Sequence, residues 1–345
     1  MMSLHDNVLS YLRKHAPEAL GFWTVLNSPA RPEMLAVCDV FYSLKLVGEL
    51  GQLAPDAAGR FALLLGDYAL AGGIGHGGST PLNVHKTAYA LGVLNFLAAH
   101  GLPVQGDVLR PSGWRNAELL DSHHRPRWPW YLAHHAWRVG HWIGGIPAIV
   151  LSLWRLAPDQ AGRNHLPSPE LVLNSSDALL DQDTGLFRAY RIEAFQQAFR
   201  ALYRVRHDPD AGALGGVAHL HWGNYAAGRL PYKAAPALFD RTWALLQRRP
   251  FMETMPYCLD FDILHLARTA IPDDDHRAPE LEARVLDFAD DIHRFYETRL
   301  DENYTLHKLP GGLAALHECA LTARAAKVPG LNIVPVDVAR EACWI

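Results

Sequence analysis

Residues 258–270 read CLDFDILHLARTA, and residues 281–300 read LEARVLDFADDIHRFYETRL. The second stretch is amphipathic. Leu281, Val285, Phe288, Ile292, Phe295 and Tyr296 fall on one face at helical spacing, and Glu282, Arg284, Asp287, Asp290, Arg294 and Glu297 cover the others. Such a helix has one wet side. The first stretch is different: from Ile263 to Ala270 it is weakly polar all round, and a helix apolar on every side is buried on every side.

The same alternation runs through the C-terminal half. A buried run starts near Gly216 and an amphipathic one near Ala235; the next buried runs start near Cys258 and Gly312. The period is roughly 50 residues, which suits stacked helical hairpins. Earlier starts fall near Asn83, Trp137 and Gly185, and Ala88–Ala99 is apolar apart from Asn95. Alternating apolar and polar residues, the signature of strands, are not sustained anywhere. The reading is a single all-α domain over residues 1–345, an α/α toroid of about six hairpins around a central cavity. Apolar helices would form the inner wall and amphipathic helices the outer one. An open solenoid is the competing arrangement, but it does not need so many helices buried on all sides.

Composition narrows the partners. The 345 residues carry a formal charge of -4, and no basic stripe marks a nucleic-acid footprint. The longest apolar stretch, Trp142–Trp154, is broken by Gly144, Gly145 and Pro147 and falls short of the ~20 residues that a membrane span needs. Met1–Lys14 is polar and mixed, unlike a secretory leader. Cys38, Cys258, Cys319 and Cys343 are dispersed, as expected of reduced thiols in the cytoplasm. The 19 histidines and 10 tryptophans are abundant for this length. Histidine serves proton transfer near neutral pH, and tryptophan lines pockets for rings and cations.

In a toroid, polar residues in the first turns of inner helices face the cavity. His85 follows the glycine-rich stretch 72–80, which lacks the G-x-x-x-x-G-K-S/T spacing of a phosphate loop. His134, Trp137 and His141 share one helix face, without the H-E-x-x-H of a zinc site. They read either as an aromatic core with hydrogen-bonded histidines or as a cavity wall with a proton carrier. Asp183 reads as a turn residue, with Gly185 in a left-handed position. His219, His221, Trp222 and Tyr225 interrupt an apolar run, and buried polar groups are costly unless satisfied. Asp260 and Asp262 open the next apolar helix beside Tyr257, on different faces. Capping accounts for one of them; the other would be a general acid with a raised pKa. His317 and Glu318 are polar intrusions in the last inner helix.

Five short motifs add a resemblance: Asp183-Thr-Gly-Leu-Phe187, Gly216-Val-Ala-His219, Leu230-Pro-Tyr232, Tyr257-Cys258-Leu-Asp260 and Pro310-Gly-Gly312. Together they resemble functionally unassigned bacterial members of the terpenoid cyclase / protein prenyltransferase toroid superfamily. The resemblance implies an α/α toroid. Its D-x-D-D acid motif is matched by Asp260-Phe-Asp262, with Ile263 in the last position. It implies an Asp as proton donor, Trp137, Trp222 and Tyr257 as cation-stabilising rings, and His219 or His221 as the final base. Prenyltransferases carry zinc on Asp, Cys and His. Cys258, Asp260 and His317 are loosely similar, but the Asp follows the Cys, so no metal is expected.

The expected function is cofactor-independent acid–base chemistry on a small molecule: cyclisation, isomerisation or elimination. Asp260, Asp262, His219 and His221 would be catalytic. His85, His134, Trp137, His141, Trp222, Tyr225, Tyr257 and His317 would bind substrate. A carbohydrate epimerase, lyase or hydrolase is the alternative, and a non-catalytic binding scaffold the third reading.

Overall fold

The computed structural model describes residues 3–15, 34–50, 84–101, 140–187 without 142 and 164, a few positions within 198–204, 208–248, and 251–345 without 302. The described residues are helical and contain no strand; a lone bridge joins Leu180 to Phe187. The all-α class expected from the periodicity is therefore what the chain adopts. His134 and Trp137 lie outside the described residues.

Twelve α-helices are described, numbered here in chain order: α1 Leu4–His15, α2 Met34–Leu46, α3 Val84–Ala99, α4 Gly145–Leu156, α5 Pro158–Arg163, α6 Pro169–Asp177, α7 Pro209–Ala226, α8 Ala235–Leu246, α9 Cys258–Ala270, α10 Ala278–Thr298, α11 Leu309–Thr322 and α12 Val338–Ala342. A 3₁₀ turn, Leu306–Lys308, leads into α11. Local chemistry sets several starts. Asp208 caps α7 ahead of Pro209, and Ser168 caps α6 ahead of Pro169. Proline suits a first helical turn because its missing N–H has no partner there anyway. Asp337 caps α12 by accepting from the Arg340 N–H.

The two kinds of helix take different places. In α7 every residue from Ala211 to Tyr225 except Ala213 is buried, and in α11 so is every residue from Leu309 to Ala320. In contrast, α10 buries only the stripe Leu281, Val285, Phe288, Ala289, Ile292, Phe295 and Tyr296. Neighbour relations among the buried helices form a closed circuit: α2 packs on α3, α3 on α4, α4 on α7, α7 on α9, α9 on α11, and α11 on α2. The one-sided helices add from outside, α8 on α7 and α9, α10 on α11, and α1 on α10. The short α12 reaches α3 and α7, which are not neighbours in the circuit. It delivers Cys343 and Trp344 into full burial.

Glycines allow the closest crossings. A Cβ on Gly140 or Gly144 would collide with the α7 backbone at Gly216 or His219. A Cβ on Gly311 would collide with the backbone of Cys258 at the start of α9. Gly185 opens the turn after α6 with φ +68°, the left-handed conformation expected there. Asp181 rather than Asp183 organises that turn: its Oδ1 accepts from the N–H groups of Asp183 and Thr184.

Gly144 has helical φ and ψ of -85° and -34°, so alanine meets no backbone strain there and only the collision remains. Gly144→Ala should lower unfolding free energy by about 1–3 kcal/mol, the usual cost of overpacking. Gly223→Ala is the control, because its Cβ would meet no backbone, only the side chains of Leu173 at 3.2 Å and Pro147 at 3.7 Å. Denaturant melts of the two variants should separate clearly; equal stabilities would contradict backbone contact between α4 and α7.

Candidate functional site

Each helix of the circuit contributes a polar side chain to one continuous array. Asp39 comes from α2, His85 from the first turn of α3, His141 from just ahead of α4, His219 from α7 and Asp262 from α9. His307, in the turn before α11, completes it. His307 Nδ1 lies 2.9 Å from Asp39 Oδ1. The His307 and His85 rings meet edge to face with centroids 5.8 Å apart. His85 and His141 stack at 4.6 Å and 13°. His141 and His219 are 4.7 Å apart, and His219 Nδ1 is 4.0 Å from Asp262 Oδ1. A buried carboxylate thus stands at each end of a row of four imidazoles.

Aromatic rings form the surroundings. Trp344 packs against His85, His141 and His219 with centroids 6.0, 6.2 and 5.0 Å away. Trp222 lies 5.3 Å from Trp344 and 4.3 Å from His219. The indole therefore lies among side chains of α3, of α7 and of the residue ahead of α4. Tyr89 stacks on His85 and donates its hydroxyl to Asp39 Oδ1 at 2.8 Å.

Hydrogen bonds orient the rings. His219 Nδ1 is 2.5 Å from the Gly215 carbonyl, so that nitrogen carries the proton of a neutral ring and Nε2 carries its lone pair. Burial holds His219 well below the ordinary range, at about 3. Burial, followed by the charges of His307, His219 and Lys86, brings His85 to about 3. Among the described residues no group of three or more His, Cys, Asp or Glu is placed to hold a metal ion. Stacked imidazoles present their faces to each other, and a metal binds in the ring plane. Cys258, Asp260 and His317 accordingly do not assemble the zinc set that the prenyltransferase resemblance suggested.

The remaining predicted residues serve other ends. Asp260 accepts the N–H groups of Met252 at 2.8 Å and Tyr257 at 2.9 Å, which ties the preceding loop to the start of α9. Burial raises its pKa to about 7 against the pull of those two bonds. It is the capping carboxylate of the pair, and Asp262 is the one that meets a histidine. His317 has both nitrogens committed to backbone: Nε2 to the Leu46 carbonyl and Nδ1 to the Val336 N–H, each at 2.8 Å. His221 points elsewhere than His219 and stacks on Tyr232 at 3.9 Å. Tyr225 lies between the guanidiniums of Arg268 and Arg340, 5.0 and 4.9 Å from its ring, and donates to Asp337 at 2.6 Å. Tyr257 contributes its backbone to the α9 cap and lies under Lys308.

Five of the proposed residues thus come together: His85, His141, His219, Trp222 and Asp262. Asp39 and Trp344 were missed, and His307 was noted only within a turn. Asp39 is a polar intrusion in the apolar run Val37–Tyr42, the same signal that singled out His219. No family model, curated protein or solved structure matches this chain.

Acid should destabilise the fold. His85, His219 and His221 are held at about 3 and His317 at about 4, against an ordinary 6.5. The unfolded chain takes up those protons below about pH 6.5 and the folded chain does not, so stability falls as pH drops from there towards the folded values. Asp260 opposes this, since its raised pKa favours the folded state as pH falls below about 7. Four groups outweigh one. Urea midpoints measured from pH 7.5 down to 4 should decline steadily below 6.5; a flat profile would mean that these imidazoles are protonated in the folded protein.

Proposed function

We propose that the chain is an acid–base enzyme of the isomerase or lyase kind, built on an α/α toroid and acting on a small molecule without a bound cofactor. The closed circuit of six buried helices supports the toroid. That circuit keeps the likeness to terpenoid cyclases as one of architecture. The chemistry moves from the carboxylates to the imidazoles. Asp260 spends both oxygens on backbone N–H groups, whereas a cyclase-type proton donor needs an available carboxylic acid.

One observation carries the reading. Asp39 is 2% exposed and accepts from His307 Nδ1, while the His307 side chain is 48% exposed. A buried carboxylate behind a reachable imidazole is the arrangement of an oriented general base. His85 and His219, whose rings burial keeps neutral, extend it, and His141 stacks between them. The second reading, a carbohydrate substrate, is favoured by the same imidazoles. An epimerase or lyase fits better than a hydrolase, which needs two carboxylates flanking the scissile bond; Asp39 and Asp262 each face a histidine. The four free cysteines suit a reducing, cytoplasmic setting. No described helix is long and apolar enough to cross a membrane.

The test is a substrate panel assayed in D₂O, with sugars and uronates in one arm and linear isoprenoids in the other, scoring deuterium incorporation. His307→Ala should cut kcat/KM by about 10²–10⁴, the usual contribution of a general base. Asp39→Asn should weaken it in the same direction. Undiminished turnover in His307→Ala would remove the proposal.

A further inference from the structure

We infer that Asp39 and Trp344 are positioning residues that give two adjacent histidines opposite roles, His307 as base and His85 as hydrogen-bond donor, towards a carbonyl compound with an acidic C–H bond. The inference rests on the acid–base reading above and names its substrate class.

The argument starts from what each partner can do. A carboxylate only accepts hydrogen bonds, and an indole N–H only donates. Asp39 Oδ1 faces His307 Nδ1 at 2.9 Å, so His307 Nδ1 carries the proton. In the neutral ring its Nε2 then holds the lone pair. The indole does the reverse. Trp344 Nε1 donates to His85 Nδ1 at 3.1 Å, so His85 Nδ1 holds the lone pair and Nε2 the proton. The same ring position is thus locked as a donor in one histidine and as an acceptor in its neighbour. Both locks are supported from behind. Tyr89 donates a second bond to Asp39 at 2.8 Å, and Tyr42 donates to the Trp344 carbonyl at 2.6 Å. Stacking of His141 and Tyr89 on His85 fixes its plane, at interplanar angles of 13° and 10°.

A base and a neutral N–H donor with ring centroids 5.8 Å apart suit enolisation. His307 Nε2 takes the proton from the carbon next to the carbonyl. The C–H electron pair becomes the C=C bond, and the carbonyl π pair moves onto oxygen. His85 Nε2–H hydrogen-bonds that oxygen as its charge develops. In an α-hydroxycarbonyl substrate His307 then returns its proton to the former carbonyl carbon while the proton of the neighbouring hydroxyl passes to the enolate oxygen, so the carbonyl moves to the neighbouring carbon, and no oxidant or co-reactant is consumed. A neutral imidazole can act in this way because it remains a donor without first losing a charge.

Nitrogen-15 spectra of histidine-labelled protein test the locks without any substrate. In the wild type, His85 should show a protonated Nε2 and a bare Nδ1, and His307 the reverse. Trp344→Phe should turn His85 into a mixture of both tautomers and leave His307 unchanged. His85 protonated on Nδ1 in the wild type would overturn the inference even if Trp344→Phe failed to fold. Turnover of an α-hydroxycarbonyl sugar gives the second readout. The amide N–H of His85→Gln can replace the Nε2 donor, so it should retain at least 10-fold more kcat than His85→Ala, at similar KM. His307→Gln has no base to offer and should be as slow as His307→Ala. Equal losses in the two His85 variants would remove its donor role. A protein with the expected tautomers that turns over no carbonyl substrate would overturn the functional reading and the substrate class together, and leave the locks standing.

Discussion

Trp344 is fully buried where helices far apart in the sequence meet. Its indole lies among rings from α3, α4 and α7, and its carbonyl accepts from Tyr42 on α2. Truncating a core tryptophan costs about 3–5 kcal/mol, a large part of the 5–15 kcal/mol that holds a typical domain together. The segment that carries it is therefore anchored at several points. Asn95 donates to the Ala342 carbonyl at 3.0 Å and Arg155 to the Arg340 carbonyl at 2.8 Å. Lys45 pairs with Glu341 at 3.1 Å. Asp337 meets Tyr225 on α7. Helices far apart in the sequence are joined through these few residues.

Charge is handled in two ways. Between α9 and α11, Arg268 grips the buried Glu318 with bonds of 2.5 and 3.3 Å. Burial alone would raise the Glu318 pKa, but Arg268 and His265 outweigh it and hold the carboxyl at about 2. That pair needs every bond, because removing one partner strands the other charge. His85 and His219 avoid the problem because burial lowers both to about 3 and keeps their rings neutral. A neutral imidazole costs only its unmet hydrogen bonds, and His219 and His85 each satisfy one nitrogen, with Gly215 and Trp344. A neutral His85 can also stack on His141 at 4.6 Å, where two imidazolium ions would repel.

The sequence carried the helix types clearly and the site unevenly. Apolar-all-round against one-sided patterning separated α7, α9 and α11 from α8 and α10, because burial on all sides leaves no room for a polar stripe. Polar intrusion into an apolar run found His219 for the same reason, and it applies equally to Asp39; a place at the start of an apolar helix found His85 and Asp262. Three of the candidates outside the array show why the site was carried unevenly. His317 and Asp260 are intrusions that hold backbone, and a sequence does not reveal whether a buried polar group has a distant N–H or carbonyl to satisfy. His221 lies two residues from His219, and that spacing on a helix turns it away towards Tyr232. Trp344 was invisible because its neighbours sit about 120 to 300 positions earlier in the chain.

The indole has two duties, and they constrain each other. As filling, it could be replaced by any ring of similar volume. As a donor to His85, it could not be replaced by phenylalanine, nor by tyrosine without moving the polar atom. The same holds at Asp39, where an asparagine would keep the shape yet blur which atom faces His307 as an acceptor. Selection for packing alone would tolerate these exchanges, so the polarity of each contact is extra information written into the core. It is concentrated where α2, α3 and the last residues of the chain meet, one turn from the half-exposed His307. A fold that needed only packing would have had no use for a nitrogen of fixed sense beside a partly buried histidine.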